Sequence, residues 1–355
     1  MQFTLLLDKR DLHAAEIRRM ICTSNCAIPS FSNSVLEGRA LAFLSISNWL
    51  ELSLFLKLSP LRLEQLINSP EYKEFTIPKK KGKPRLIFQP DKELMKIQRK
   101  LNLYIQSVYS FQLPENVHGF IPKSFQVHRS IVSNAIPHVK KQRVLSIDLE
   151  NYFSSIHSKK VRSLFLSWGF TNEIATALTL LCTYKGSLPT GAPTSPVLAN
   201  LCSLALDEKL QVKAQNHGLT YTRYADDLTF SCDEAFSDEF LNHLQAIIKP
   251  FELNSKKTRI KKKSQQQKVT GILVNEKVNV DRKWIKQLRA MLHDLKINGV
   301  QKASFNHFKK TKQESFFVNR LRGNIAFLGQ VRGFEDKVYV KYHTCINTNY
   351  PSKKI

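Results

Sequence analysis

Three aspartates in this sequence have the spacing and setting of a metal centre. Asp226 and Asp227 are adjacent in YTRYADD, between two runs of strand-forming residues, which predicts a β-hairpin with two carboxylates at its tip. Adjacent carboxylates repel each other and add nothing to the stability of a hairpin, so we expect a compensating cation. Asp148 ends the apolar run VLSID just before a turn, which places a third carboxylate at a sheet edge. We therefore predict that Asp148, Asp226 and Asp227 are catalytic, metal-binding residues.

The predicted carboxylates suit a two-metal phosphoryl transfer. Two ions about 4 Å apart activate an attacking hydroxyl, stabilise the leaving group and clamp the in-line displacement. Hard oxygen ligands favour Mg²⁺, with Mn²⁺ as a possible substitute. The alternative is that YADD is an ordinary turn with Asp at its tip, and that reading would be the better one if the tetrapeptide stood alone.

The elements that must position these aspartates are helices and short strands. A strand is predicted at 143–153, the carboxylate hairpin at 219–232 and two further hairpins at 75–90 and 268–280. Apolar periodicity and capping signals predict helices at 36–69, 91–111, 158–168, 171–183, 194–217, 237–251 and 283–330. Thr194 is expected to cap the helix that begins near Pro196.

Composition points to a polyanionic partner. The 355 residues include 54 Lys and Arg against 29 Asp and Glu, a net charge of +25, which suits nucleic acid. A basic membrane-surface protein has the same bias, but the most apolar stretch, 41–58, is interrupted by polar residues and reads as an amphipathic core helix, so no membrane partner is predicted. The apolar run at the N-terminus is too short for a signal peptide, and the six scattered cysteines suit reduced thiols, so we predict a cytoplasmic location.

The ordered series SIDLENYF, LPTGAPTSPVLANL, YTRYADD, NSKKT and KVTGILVN resembles the palm motifs of reverse transcriptases, and the resemblance covers about residues 75–330. It implies an α+β right-hand polymerase fold with fingers, a palm of antiparallel sheet plus helices, and a helical thumb. The implied division is an N-terminal helical region at 1–72, fingers at 73–142 with 160–195 partly interleaved, a palm at 143–280, and a thumb and C-terminal RNA-binding region at 281–355.

The resemblance also implies roles around the nucleotide. Leu149 would offer its backbone carbonyl to a metal. Phe153 falls where the family places an aromatic gate against the ribose 2′-hydroxyl, and the alternative is a core aromatic. Lys83 and Arg85 lie in a segment like the fingers hairpin that contacts the triphosphate, although solvated turn charges would look the same. Lys257, in NSKKT, matches a lysine that protonates pyrophosphate, and the adjacent lysine is an equal candidate.

The segment PTGAPTSP would bring backbone close to the incoming nucleotide or the template through Thr190 and Gly191, and an ordinary helix entry is the alternative. Many relatives carry Gln where this chain has Thr190, which puts a side-chain contact from that position in doubt.

Two short motifs resemble signatures of bacterial retron reverse transcriptases. SNAIPHV contains Asn134 and His138 in an NAxxH pattern, and VTG comprises Val269, Thr270 and Gly271. Each is weak alone, since a lone His is more often a satisfied structural residue. Together they imply RNA-binding positions and a structured noncoding RNA as partner. That RNA would be the template and, through a 2′-hydroxyl, the primer of a branched single-stranded DNA made from deoxynucleoside triphosphates. A separate effector protein and a role in anti-phage defence are also implied.

The C-terminal region is basic with interleaved aromatics, which fits a thumb that grips an RNA stem by shape and phosphate contacts. The alternative is a helix bundle with a basic exterior and an aromatic core. Both can hold at once, because the aromatics can pack inward while the lysines face RNA. The residues predicted to bind RNA here are Arg282, Lys283, Lys286 and Arg289.

Several alternatives stay open at this point. An RNA-directed RNA polymerase shares the palm, and Phe153 argues against it. A group II intron-like or diversity-generating reverse transcriptase is the nearest other enzyme. A catalytically idle RNA-binding scaffold of a toxin system would have the same charge, but it gives no reason to retain three close carboxylates without a metal. The identity of the RNA, the branching guanosine, the DNA length, the effector, the oligomeric state and the role of residues 1–35 are not predicted.

Overall fold

Helices precede, separate and follow the strands of this chain. The computed structural model describes residues 2–17, 34–78, 84–122, 127–249, 251–253, 258–308 and 314–350. The helices are α1 (Gln2–Leu12), α2 (Val35–Leu44), α3 (Trp49–Leu56), α4 (Pro60–Asn68), α5 (Lys92–Tyr109), α6 (Ile131–Ala135), α7 (Ser158–Ser167), α8 (Asn172–Cys182), α9 (Ser195–Cys202), α10 (Leu204–Asn216), α11 (Asp238–Ile248), α12 (Arg282–Phe308), α13 (Glu314–Arg332) and α14 (Lys337–Asn349). The strands are β1 (Tyr72–Ile77), β2 (Arg85–Pro90), β3 (Arg143–Glu150), β4 (Thr220–Tyr224), β5 (Asp227–Cys232), β6 (Glu252–Leu253), β7 (Arg259–Lys262), β8 (Lys268–Val269) and β9 (Ile272–Leu273).

Strand β3 is the centre of a five-stranded sheet whose order is β4, β5, β3, β6, with β7 also paired to β3. All of these pairings are antiparallel. The sequence predicts this strand well, because RVLSIDLE is rich in branched apolar residues and its side chains alternate between two faces. The predicted strand and hairpin are therefore confirmed.

The two faces of β3 have different surroundings. Leu145, Ile147 and Leu149 are buried in the main hydrophobic cluster, with the helices α5 and α7–α11 packed around it. Residues of the other parity, including Ser146 and Asp148, lie on the opposite face. Asp148 is thus held on a strand whose other face is anchored in the core.

The predicted helices are present, with breaks that the apolar pattern did not show. The region 36–69 divides into α2, α3 and α4, and Ser59 caps α4 as its position before Pro60 indicates. The region 194–217 divides at Ser203 into α9 and α10. Thr194 stands at the N-cap of α9, but its side chain makes no capping hydrogen bond, so that expectation is wrong; its own backbone is helical rather than extended.

A second hydrophobic cluster holds the C-terminal helices together. It joins Leu288, Leu321 and Ile346 to Val144 at the start of β3 and to Ile272 of the β8–β9 hairpin. The residues between 269 and 280, which the resemblance assigns to the palm, thus share a core with the helices assigned to the thumb. We retain the division into fingers, palm and thumb as a proposal.

Helix α12 contains a kink at Gly299, whose backbone (φ 72°, ψ 174°) is non-helical. A residue with a side chain would be strained there, since that region favours glycine. None of the helices in the described ranges combines the length and hydropathy that a bilayer crossing requires.

Candidate active site

The three predicted aspartates lie at one end of the central sheet, two of them paired in register and the third in the adjoining turn. In the antiparallel register Asp148 of β3 lies directly opposite Asp227 of β5, so their side chains project from the same face. Asp226 precedes Asp227 in the turn, and its backbone carbonyl accepts a hydrogen bond of 3.0 Å from the amide of Leu149. Ala225, also in this turn, has a φ of 58°. The convergence of the three carboxylates on a metal stays a prediction.

The turn is supported by a glycine on a neighbouring segment. A Cβ at Gly119 would lie 2.4 Å from the backbone nitrogen of Ala225, so any larger residue would displace the turn. The carbonyl of Gly119 accepts a hydrogen bond of 2.9 Å from the side-chain amide of Asn200. On its other side the same segment is joined to β4 by a bond of 2.8 Å from the amide of His118 to the carbonyl of Arg223. The carboxylate hairpin is therefore packed against backbone at Ala225, while Asp226 and Asp227 are half-buried.

A fully buried guanidinium lies behind the hairpin. Arg223 makes a bidentate ion pair with Asp207, at 2.7 Å and 2.6 Å. Its remaining nitrogen donates to the carbonyl of Ala225 at 3.1 Å, to the side-chain oxygen of Asn200 at 2.9 Å and to the hydroxyl of Tyr152 at 3.1 Å. One buried cation thus connects the core helices to the turn that presents the carboxylates.

The tyrosines of this network keep their protons. Burial, together with the charge of Asp207, raises the pKa of Tyr221 well above its ordinary value, and its hydroxyl donates to Asp207 at 2.8 Å. Burial likewise raises the pKa of Tyr152, whose hydroxyl donates to the carbonyl of Ala199 at 3.1 Å. Asp207 therefore accepts from two residues, and its carboxylate is well compensated inside the protein.

Phe153 is half-buried and packs against the main core. Its ring lies 5.8 Å from that of Phe120, the residue after Gly119, which itself supports the carboxylate turn. Phe153 therefore occupies the neighbourhood of the three aspartates, and its role as a gate stays a prediction.

The predicted phosphate-contacting segment is joined to the PTG loop. The amide of Phe88, in β2, donates to the carbonyl of Thr190 at 2.8 Å. Gly191 has a φ of +122°, and a Cβ on it would lie 2.9 Å from the carbonyl oxygen of Phe88, so glycine is required on both grounds. Arg85 is exposed at the start of the same strand. Lys83 and Lys257 lie outside the described residues.

The NAxxH segment lies on the carboxylate face of the sheet. His138 is fully buried, with Nδ1 2.6 Å from the hydroxyl of Ser231 and Nε2 2.8 Å from the hydroxyl of Thr222. Burial lowers the pKa of His138 to about 3, so the ring is neutral. Asn134 is also fully buried. The structure thus gives both side chains a position inside the protein, away from the surface that direct RNA contact requires, and their role toward RNA stays a prediction.

The two retron-like signatures touch each other. Thr270 and Gly271 both have positive φ, of 47° and 86°, and form the two-residue turn between β8 and β9 that this conformation favours. The hydroxyl of Thr270 donates to the carbonyl of Ile131 in α6 at 3.1 Å, and the amide of Asn134 lies 3.5 Å from that hydroxyl. Val269 is buried in the second hydrophobic cluster. Of the three VTG residues, Val269 is buried, Thr270 is half-buried and Gly271 is exposed.

The basic residues predicted on α12 are at the surface. Arg282, Lys283, Lys286 and Arg289 are all exposed, and the first, third and fourth recur at the spacing of one helix face. Between them Trp284 turns inward, with its ring 5.7 Å from that of Phe327. Phe308 also packs against the second hydrophobic cluster, whereas Phe305 is exposed. The interpretation that the aromatics of this region pack inward while the cations face outward therefore agrees with the structure except at Phe305.

Sequence reasoning missed Arg223 and Asp207. The available signal was a charged residue at the core-facing parity of an apolar strand, two positions before the turn, which requires a buried partner. The partner lies in a helix and could not be chosen from the sequence alone.

The sequence of this chain is similar to that of known reverse transcriptases. Residues 77–274 match the family described as reverse transcriptase (RNA-dependent DNA polymerase). The retron Ec86 reverse transcriptase of Escherichia coli is 39% identical over 230 residues, 63% of this chain and 70% of that protein. The retron Mx65 reverse transcriptase of Myxococcus xanthus is 36% identical over 243 residues, 62% of this chain and 55% of that protein. The chain thus spans little more than half of the length of the Myxococcus relative.

The structure of a telomerase from Candida albicans, solved with a fragment of telomeric RNA, aligns with this chain. The alignment covers 80% of this chain and 64% of the telomerase chain, with a TM-score of 0.45 and 9% identity. The predicted α+β right-hand polymerase fold is confirmed by the family match and by the central antiparallel sheet flanked by helices. The chain belongs to the reverse transcriptase family, and within it to the retron reverse transcriptases.

Proposed function

We propose that this chain is an RNA-directed DNA polymerase whose two Mg²⁺ ions are held by Asp148, Asp226 and Asp227, with the backbone carbonyl of Leu149 as a further ligand. The observation that carries the proposal is the register of Asp148 opposite Asp227 on one face of a core-anchored sheet, with Asp226 in the adjoining turn. Such carboxylates supply the hard oxygen ligands that Mg²⁺ takes, so the donor set fits the ions. Bound there, the ions would activate the primer hydroxyl and stabilise the leaving pyrophosphate.

The chain's own residues position the nucleotide in this proposal. The hairpin backbone, held by Arg223 and packed against Gly119, fixes where the carboxylates point. Arg85 would contact the triphosphate, because a guanidinium pairs well with phosphate oxygens. Thr190 and Gly191 would present backbone to the nucleotide, and Phe153 would exclude a ribose 2′-hydroxyl. We keep Lys83 and Lys257 in the proposal as sequence predictions only.

The substrate RNA is proposed from the family and from the charge of the chain. Retron membership and the net charge of +25 support a structured noncoding RNA as template, with one of its 2′-hydroxyls as primer. The exposed cations of α12 give a surface for the phosphates of an RNA stem. The product would be single-stranded DNA joined to RNA, and an effector protein and anti-phage defence would complete the system.

The direct test is the nucleic acid that copurifies with the chain when it is expressed together with its flanking noncoding region. The proposal predicts a species whose length falls on RNase treatment and again on DNase treatment, and whose RNA–DNA junction is opened by a 2′–5′ debranching enzyme. The matched control is the Asp226→Asn, Asp227→Asn double variant, which should copurify with RNA alone.

Two outcomes would oppose the proposal differently. RNA without DNA in the unaltered chain would favour an idle RNA-binding scaffold. DNA that resists debranching would support the polymerase activity and contradict priming from a 2′-hydroxyl.

A further inference from the structure

A cluster of two histidines and a glutamate lies on the side of the sheet away from the carboxylates. His217 ends α10, while Glu239 and His243 occupy consecutive turns of α11. One ligand atom from each of the three lies within 4.8 Å of the other two. The rings of His217 and His243 are 6.4 Å apart between centroids.

The cluster stands on a rigid base. Phe240 is buried, with its ring 5.6 Å from that of His217 on one side and 5.4 Å from that of Phe230 on the other. Phe230 belongs to the core-facing parity of β5, opposite in the register to Leu145. Because the ligands come from two helices packed on this core, small side-chain rotations are enough to bring their atoms together.

One atom of the cluster has no protein partner. Nδ1 of His243 is buried and makes no hydrogen bond to any residue in the described ranges. Its nearest charged neighbour is Oε1 of Glu239 at 3.9 Å, too long for a hydrogen bond. A buried ring nitrogen without a partner is costly, and a metal ion between it and the carboxylate would satisfy both.

We propose that His217, Glu239 and His243 form a second metal site, one that binds a borderline transition metal of the Zn²⁺ class. Two imidazole nitrogens and a carboxylate are a zinc ligand set, with bonds of about 2.0–2.2 Å, and a water would complete the tetrahedron. The three aspartates offer oxygens alone and suit Mg²⁺, so the two sites select different ions. The second ion would fasten the end of α10 to α11. It is independent of the proposed polymerase activity.

The experiment uses the full chain, stripped with a chelator and then kept in a large excess of Mg²⁺ to saturate the carboxylate site. Co²⁺ is titrated in as the probe, because its visible absorption reports low-symmetry nitrogen and oxygen ligation, and Zn²⁺ is then added as a competitor. One Co²⁺ per chain should bind and be displaced by Zn²⁺. Zn²⁺ at about 100 times its Kd should raise the Tm on the order of 3 °C.

The variants His217→Ala and His243→Ala should weaken Co²⁺ binding by at least about a hundredfold, since even outer-shell losses reach that size. His243→Gln keeps a polar side chain of similar length and should lose binding equally, which separates ligation from folding. His293→Ala, at an exposed histidine of α12, is the matched control and should bind as the unaltered chain does. Absence of Co²⁺ binding in excess Mg²⁺, or unchanged binding in either histidine variant, would overturn the proposal.

Discussion

Replacing Arg223 should separate the stability of the chain from the positioning of the carboxylates on its central sheet. Arg223 and Asp207 are 0% and 2% exposed, and the guanidinium donates to the carbonyl of Ala225, next to the two adjacent aspartates. Arg223→Met keeps the approximate length of the side chain but removes the charge and every donor. We expect it to affect both folding and catalysis.

The size of the stability loss follows from the charge that is left unpaired. Removing one partner of a buried ion pair strands the other charge at a cost of about 3–5 kcal/mol. The double variant Arg223→Met, Asp207→Leu removes both charges, and apolar replacement of a whole buried ion pair often leaves the stability unchanged. Asn200 loses its donor in both variants, and Tyr221 loses its acceptor in the double variant alone, at about 1–3 kcal/mol. The double variant should therefore be more stable than Arg223→Met by about 2 kcal/mol.

Catalysis should not recover with stability. In both variants the carbonyl of Ala225 loses its donor, so the turn that presents Asp226 and Asp227 is free to shift. A misplacement of about 1 Å can reduce the rate about a hundredfold. We predict a fall in kcat of about ten- to a hundredfold in both variants, with little change in KM for the deoxynucleotide.

The assays are denaturant unfolding and single-nucleotide primer extension, done on the same preparations. Asp233→Asn is the control, since this carboxylate pairs with Lys141 and is largely exposed at the far end of β5. A double variant that regains stability and extends primers at the unaltered rate would refute the positioning role of Arg223.

Three further predictions address other parts of the chain. Phe153→Ala should admit ribonucleotides in primer extension, and unchanged discrimination between the two sugars would assign this ring to the core alone. The variant Arg282→Gln, Lys286→Gln should weaken binding of an RNA stem and lower the slope of log K against log salt by about 2, as measured by fluorescence anisotropy. Burial lowers the pKa of His118 to about 4 and that of His138 to about 3. Because both folded-state pKa values lie below the unfolded value of about 6.5, the stability from keeping these rings neutral is complete above pH 6.5. It should fall by about 1.4 kcal/mol per histidine per pH unit from that pH down to the folded-state pKa of each ring. Unfolding measured over this pH range should show a smaller slope in His138→Gln.

The sequence predicted the hairpin that carries Asp226 and Asp227 because its information is local. A strand of branched apolar residues ending in Asp148 and two strands flanking YADD fix the face on which each side chain lies, and the turn length fixes the register. The pairing of β3 with β5, which sets Asp148 opposite Asp227, joins segments far apart in the chain. No local pattern fixes that register, so the pairing itself could not be predicted from the residues.

The support behind the hairpin could not be predicted in the same way. The contact of Gly119 with Ala225 and the pairing of Arg223 with Asp207 join segments far apart in the chain, and no periodicity links them. His138 is a second residue whose surroundings could not be predicted from the sequence. Its motif indicated RNA, while the structure bonds both ring nitrogens to hydroxyls of β4 and β5.

The central claim is that Asp148, Asp226 and Asp227 together hold the ions that join a nucleotide to a primer. The most direct measurement is Mg²⁺-dependent incorporation of deoxynucleotides on an RNA template by the unaltered chain and by Asp227→Asn, with Asp233→Asn as control. We predict incorporation that stops in excess chelator, that returns with Mg²⁺ or Mn²⁺, and that is lost in Asp227→Asn with folding retained. Incorporation at the same rate in Asp227→Asn, or in the presence of chelator, would contradict the account.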